Sequence, residues 1–339
     1  MALAGEPESL GSRRQGLQQR ARPRYEGGLP IPPPALPKSD ALGELRRARL
    51  ELEFAVEGRA SFGPVLRALR RIETWLARPP RIAILGEFNC GKSTLANFLI
   101  GVDAVPTSVV SNTCIPTLLH FASEPSVIAV YHDGRRHLLT ATSPVTRGSI
   151  LRLEVGLSSD RLRRLQIVDL PGLGDPSVAG APYQLSQHHV DAAVWCTVGT
   201  QAWKESERNA WLDVPDYLRD RGILIATFAD LLDDPEDKRS VLGRLTEEAG
   251  PQFREIVMVS AKASLALLTD PIPPGDGEDE PDLELDLKSD CGQESLSSAL
   301  DRLIAFTDEQ RVAAALALVG RLARHTLKRL DATQPHVTG

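Results

Sequence analysis

Cysteine is scarce in this chain. Cys90, Cys114, Cys196 and Cys291 are the four present in 339 residues, and no two sit at a paired spacing. That pattern excludes a disulfide framework and a structural zinc site, and a reducing compartment is the simplest setting. Positive charge is not in excess either. With 39 Lys and Arg against 45 Asp and Glu, the net charge is -6 and the pI about 5.7. A duplex nucleic-acid protein normally shows a basic stripe or basic domain, so no nucleic-acid partner is expected. Nowhere do about 18 apolar residues run together, and the amino terminus has no basic segment followed by an apolar run. The expectation is a cytoplasmic protein that neither spans a membrane nor is exported.

What remains is an ordinary globular composition, 42% hydrophobic and 25% charged. It is enough for one large α/β domain of roughly 150–250 residues with helical additions. Residues 1–40 end in Leu29-Pro30-Ile31-Pro32-Pro33-Pro34-Ala35-Leu36-Pro37, which reads as a disordered Pro-rich tail. Residues 41–79 turn helical, with Leu42, Leu45, Leu52 and Val56 on one face and Leu66, Leu69, Ile72 and Leu76 after Gly63-Pro64. Residues 80–269 read as the α/β domain itself. Its strand-length apolar runs fall at Arg81–Leu85, Ile115–Phe121, Val127–Tyr131, Leu165–Leu170, Ala192–Val198, Ile223–Thr227 and Ile256–Ser260. Helical segments separate most of them, and Asp133-Gly134 marks a hairpin. The expected fold is therefore α/β, a doubly wound and mostly parallel sheet with an antiparallel edge, flanked by N- and C-terminal helices. An acidic linker or insertion follows at 270–292, and a C-terminal helix at 293–332 is expected to pack on the N-terminal ones.

Gly86-Glu87-Phe88-Asn89-Cys90-Gly91-Lys92-Ser93 fits G-x-x-x-x-G-K-[ST] directly after a buried strand, and Leu95, Phe98 and Leu99 give the following segment a helical face. Two glycines let the backbone curl so that successive N–H groups face phosphates, and the new helix adds its positive end. Lys92 brings charge to the β and γ phosphates, and Ser93 a hydroxyl for Mg²⁺. Asp169, ending a second strand in Val168-Asp169-Leu170-Pro171-Gly172, supplies the carboxylate for the metal, and Gly172 an unhindered N–H for the γ-phosphate. In the polar loop 105–114, Thr113 is the metal-reaching candidate, with Thr107 in reserve. Base recognition falls to the turn Thr227-Phe228-Ala229-Asp230, where Asp230 accepts the guanine N–H groups, and to Ser260-Ala261-Lys262. Phe228 stands where the [NT]-K-x-D pattern has lysine, so an aromatic ring takes the place of a stacked lysine stem.

The order of these elements is that of Ras-like GTPases, and the wording of Gly86 to Thr94, of Val105-Pro106-Thr107 with Thr113, and of Ile167 to Leu173 resembles the bacterial dynamin-like GTPases. The resemblance implies Mg²⁺-dependent hydrolysis of GTP to GDP and phosphate, with conformational switching and self-association through the G domain. It also gives Asn89 a part in holding K⁺ or Na⁺, so that Asn89, Lys92, Thr113 and Gly172 form the catalytic set. A nucleotide-binding switch with negligible hydrolysis is the alternative, and a P-loop ATPase a third reading. With the sequence read to Gly339, a full stalk or lipid-binding tip is not expected. A membrane surface therefore enters the partner list only through Arg321, Arg324, Lys328 and Arg329, whose preferred reading is a solvated helix face. Core packing is expected for Trp195, Trp203 and Trp211, and surface or supporting positions for His188 and His189. Cys90 and Cys114 flank the phosphate site, where a redox effect is the sharper reading and small buried residues the plainer one.

Overall fold

A computed structural model describes residues 37–56, 59–101, 115–140, 150–170, 185, 188–232, 234–260 and 292–333. Outside them lie the Pro-rich segment to residue 36, the acidic run, Thr107, Thr113, Cys114, Gly172, Ala261, Lys262 and Cys291.

The amino-terminal helices are α1 (Lys38–Ala55) and α2 (Gly63–Ala77), separated by a short 3₁₀ turn at Ala60–Phe62. Pro64 sits in the first turn of α2, where its missing N–H costs nothing. Next come β1 (Arg81–Gly86), α3 (Lys92–Ile100), β2 (Thr117–Phe121), β3 (Ser126–Tyr131), β4 (Arg136–Leu138), β5 (Ile150–Leu157), β6 (Gln166–Asp169) and β7 (Ala192–Val198). The remaining elements are α4 (Glu205–Leu212), α5 (Asp216–Arg219), β8 (Gly222–Thr227), α6 (Pro235–Glu248), β9 (Glu255–Met258) and α7 (Gln293–Thr333).

One sheet of nine strands runs in the order β4-β3-β5-β2-β6-β1-β7-β8-β9. From β6 to β9 all neighbours are parallel. β2 joins antiparallel to β6, and the β3–β4 hairpin, turning at Asp133-Gly134, closes the antiparallel edge. The expected fold class is what is found.

β5 was not among the apolar runs. Its Arg152 and Glu154 interrupt the hydrophobic sequence, yet Glu154 is buried because Arg152 and Arg136 both pair with it, at 2.6 and 2.5 Å. A strand whose charges are mutually compensated escapes a search for continuous apolar residues.

Alternating residues of the central strands fill two cores. One face, with Ile82, Ile84, Val194, Ile223 and Ile225, packs on Leu95 and Leu99 of α3 and on Leu296, Leu300 and Leu303 of α7. The other, with Ala83, Leu85, Ala193 and Leu224, packs on α4–α6 through Trp211, Leu218 and Leu245. Trp195, Trp203 and Trp211 are all essentially without solvent contact, and Trp211 stacks on Phe253 at 4.4 Å, so the tryptophans are core. α7 serves two regions at once. Its first turns complete the sheet's core, and Val312 and Ala315 further along meet Ala41 of α1 and Leu76 of α2.

Candidate functional site

β1 leads into the glycine loop at the carboxyl end of the parallel strands, the usual location for ligands in such sheets. Gly86 has φ 145°, and a Cβ there would collide with the backbone oxygen of Cys196 and lie 2.6 Å from the Cys90 sulfur. Gly91 has φ 86° at the mouth of α3. Only glycine meets both demands without strain. Asn89 (φ 60°) and Phe228 (φ 57°) are left-handed as well. Asparagine tolerates that region, whereas a phenylalanine held there marks strain stored beside the cleft.

Lys92 is 9% exposed, and its Nζ donates to the carbonyl oxygens of Gly86 (3.2 Å) and Glu87 (2.5 Å). The ammonium is thus folded over its own loop, which pre-orients a positive charge at the turn. Asp169 ends β6, one strand from the loop, with its Cα in register with Ile84 of β1. Burial pushes its carboxyl up to about 6, and the nearby Lys92 ammonium pulls it back. Ser93 opens α3 on the surface of the same cleft. The cleft, of about 370 Å³, is lined by Phe88, Asn89, Gly91, Lys92, Ser93, Thr94 and Phe228.

The base-side residues also converge. Phe228 contributes to the cleft, and its ring reaches within 3.4 Å of a Cβ built on Gly91. Beside it, exposed Asp230 accepts a hydrogen bond from the Ser260 hydroxyl at 2.6 Å, joining the ends of β8 and β9. Thr227 turns inward, its hydroxyl shared between the carbonyls of Cys90 (2.7 Å) and Thr197 (3.1 Å). In this arrangement it ties the loop to β7.

Several supporting contacts carried no sequence signal. Glu87 accepts from Ser206 at 2.5 Å and pairs with Lys204 at 3.6 Å, bracing the loop against the segment that opens α4. Buried Glu207 accepts from the Thr197 hydroxyl and the Lys204 N–H, both at 2.9 Å. Cys90 lies against Cys196, and the thiol contact between them lowers the Cys90 pKa.

At the amino end of the same strands is a second charged center. Asp191, just before β7, accepts from Arg78 (2.6 Å), the Arg81 N–H (2.8 Å) and the Trp75 indole (3.3 Å). Arg311 of α7, fully buried, stands 3.7 Å from Asp191, pairs with Asp308 at 2.9 Å and donates to the carbonyls of Trp75 and Arg78. Lys38 of α1 completes the network through Asp308, at 2.9 Å. Its members are scattered over the chain, and no motif announced them.

Residues 82–229 match the model of the dynamin family. Dynamin-like protein 2 of Campylobacter jejuni is 27% identical over 202 residues, which span 57% of this chain and 33% of that protein. The isoniazid-induced protein IniC of Mycobacterium tuberculosis is 33% identical over 147 residues, 40% of this chain and 29% of that one. The chain thus spans about a third of the length of the curated relatives it matches. A solved structure described as an oligomerised bacterial dynamin pair for long-range sensing and tethering of membranes superposes over 87% of this chain and 56% of its own, with TM-score 0.54 and 16% identity. At that identity the likeness is one of fold.

Proposed function

We propose, from the match of residues 82–229 to the dynamin family model, that the protein is a Mg²⁺-dependent GTPase, converting GTP to GDP and phosphate while its flanking helices respond to the nucleotide. The observation that carries this reading is the cradle itself: a loop that only glycine permits at Gly86, with Lys92 folded over it and Asp169 one strand away.

The donors suit magnesium, a hard cation that takes oxygen ligands. Ser93 and Asp169 are the residues that would hold it, joined in the proposal by Thr113. When bound, it neutralises charge on the β and γ phosphate oxygens. The chain's own groups do the rest. Curled N–H groups of residues 87–93 orient the phosphates, Lys92 exchanges its carbonyl partners for phosphate oxygens, and the N–H of Gly172 is assigned to the γ-phosphate. The Asn89 amide is proposed to favour K⁺ or Na⁺ beside the phosphates. Guanine is read by Asp230, oriented by Ser260, with Ala261 and Lys262 adjoining. Dimerisation through the G domain is proposed to raise the rate, and the cytoplasm is the proposed location.

Phosphate release from GTP, measured per molecule against protein concentration with Mg²⁺ and K⁺, tests this. A rate that rises with concentration and falls on replacing GTP by ATP is expected. No turnover at any concentration, with tight GDP binding retained, selects the second reading, a nucleotide-held switch. Phe228 favours that alternative, since a strained aromatic occupies the position of the lysine in the usual base-reading pattern.

A further inference from the structure

Away from the phosphate loop, the carboxyl-terminal half of α2 and the start of β1 enclose an open cleft of about 650 Å³. Its lining is Arg70, Arg71, Thr74, Trp75, Arg78, Arg81 and His189, with no carboxylate among them. The carboxylates nearby are already committed. Glu53 pairs with Arg70 and Arg49, and Asp191 with Arg78. Among the described residues the Arg81 guanidinium has only neutral acceptors, the Gln166 amide oxygen at 2.9 Å and the His188 carbonyl at 3.0 Å. Exposed Arg71 has no carboxylate within ion-pair distance among them. Like charges gathered on a concave, partly desolvated wall repel one another, and that cost is relieved by an anion.

We propose that this cleft is a second ligand site, taking a phosphate-bearing anion that Arg71 and Arg81 grip directly, with Arg70 and Arg78 alongside and the Trp75 ring as an apolar wall. Guanidinium forks match phosphate oxygens in pairs, and the volume lies in the range of small-molecule sites. Burial, then the cations Arg78 and Arg152, push Arg81 down to about 10 against the pull of Asp191 and Glu154, and burial, then Arg81, Arg78 and Arg152, lowers His189 against that of Asp191. Phosphate groups reach such a site either on a free solute or on a lipid headgroup.

Trp75 reports on the cleft, because Trp195, Trp203 and Trp211 are buried in the core. Inorganic pyrophosphate is titrated into the Lys92→Ala protein, which removes the phosphate loop's contribution and keeps this test separate from that of GTP turnover. A saturable change in Trp75 emission is expected, weakened about tenfold or more by Arg71→Glu, the loss of one charge-assisted contact. Arg71 is exposed, so that variant keeps its fold; Arg81→Gln, checked by thermal unfolding, is expected to weaken binding as well. Co-sedimentation with phosphatidylcholine vesicles carrying phosphatidylinositol phosphate, lost in Arg71→Glu, assigns the lipid source; binding in solution alone assigns a free solute. Unchanged affinity in both variants, or no response of Trp75 to either probe, overturns the proposal.

Discussion

The two ends of β1 and β7 carry charge in opposite ways. At the carboxyl end Lys92 rests on carbonyl oxygens, neutral partners that a phosphate easily outcompetes, and the left-handed Asn89 and strained Phe228 lie beside it. At the amino end the carboxylates of Asp191 and Asp308 are held by the three cations Lys38, Arg78 and Arg311, so every carboxylate there has charged partners within the protein. An incomplete charge balance belongs to a site that awaits a ligand. Ion pairs on both carboxylates belong to a joint that holds the helices to the sheet.

The largest expected effect breaks the joint. Asp191→Ala leaves buried Arg311 without that partner and should cost about 3–5 kcal/mol of stability, read by denaturant unfolding. If the ends differ in kind, nucleotide affinity under folding conditions changes little. Lys92→Ala inverts the outcome, lowering GTP turnover on the order of 100- to 1000-fold with the unfolding midpoint nearly unmoved.

A pH series sharpens the comparison at the base. Burial, then the cations Arg152 and Arg81, holds His188 down at about 4 in the folded chain, against about 6.5 when unfolded. Between those values the unfolded state binds the extra proton, so stability falls as pH drops from about 6.5 to 4, by roughly 2–3 kcal/mol. His188→Gln should flatten that slope in thermal melts across the same range. The smallest change is at the cradle. Phe228→Asn relieves a left-handed phenylalanine and is expected to add up to about 1 kcal/mol of stability. The same substitution weakens guanine nucleotide binding if the ring stacks on the base, a loss that calorimetry with GDP measures.

The cradle was legible because its parts are contiguous. A phosphate loop is built from backbone groups of neighbouring residues, so the spacing of Gly86, Gly91, Lys92 and Ser93 carries its meaning wherever a strand and a helix flank it. The central strands were legible for a related reason, since both faces are covered and their residues are almost all apolar. β5 was not, because Glu154 is buried only with Arg136 and Arg152 on hand, and pairing between strands leaves no local trace. Nor was the inward turn of Thr227, which follows from the approach of Cys90 and Thr197.

The double duty of α7 shows the same division. Its helical period was readable over its whole length, while its passage from the sheet's core to the α1–α2 pair depends on where those surfaces stand. By itself, then, the sequence determined the phosphate loop, the alternation of strands and helices and the glycine positions, all properties of short range along the chain. Tertiary structure alone decided that Asp191 receives groups from α2, β1 and α7, and that four arginines face one cleft without an acid among them. Burial and charge compensation are sums over neighbours in space, and residues 75, 191 and 311 become neighbours only once the chain has folded.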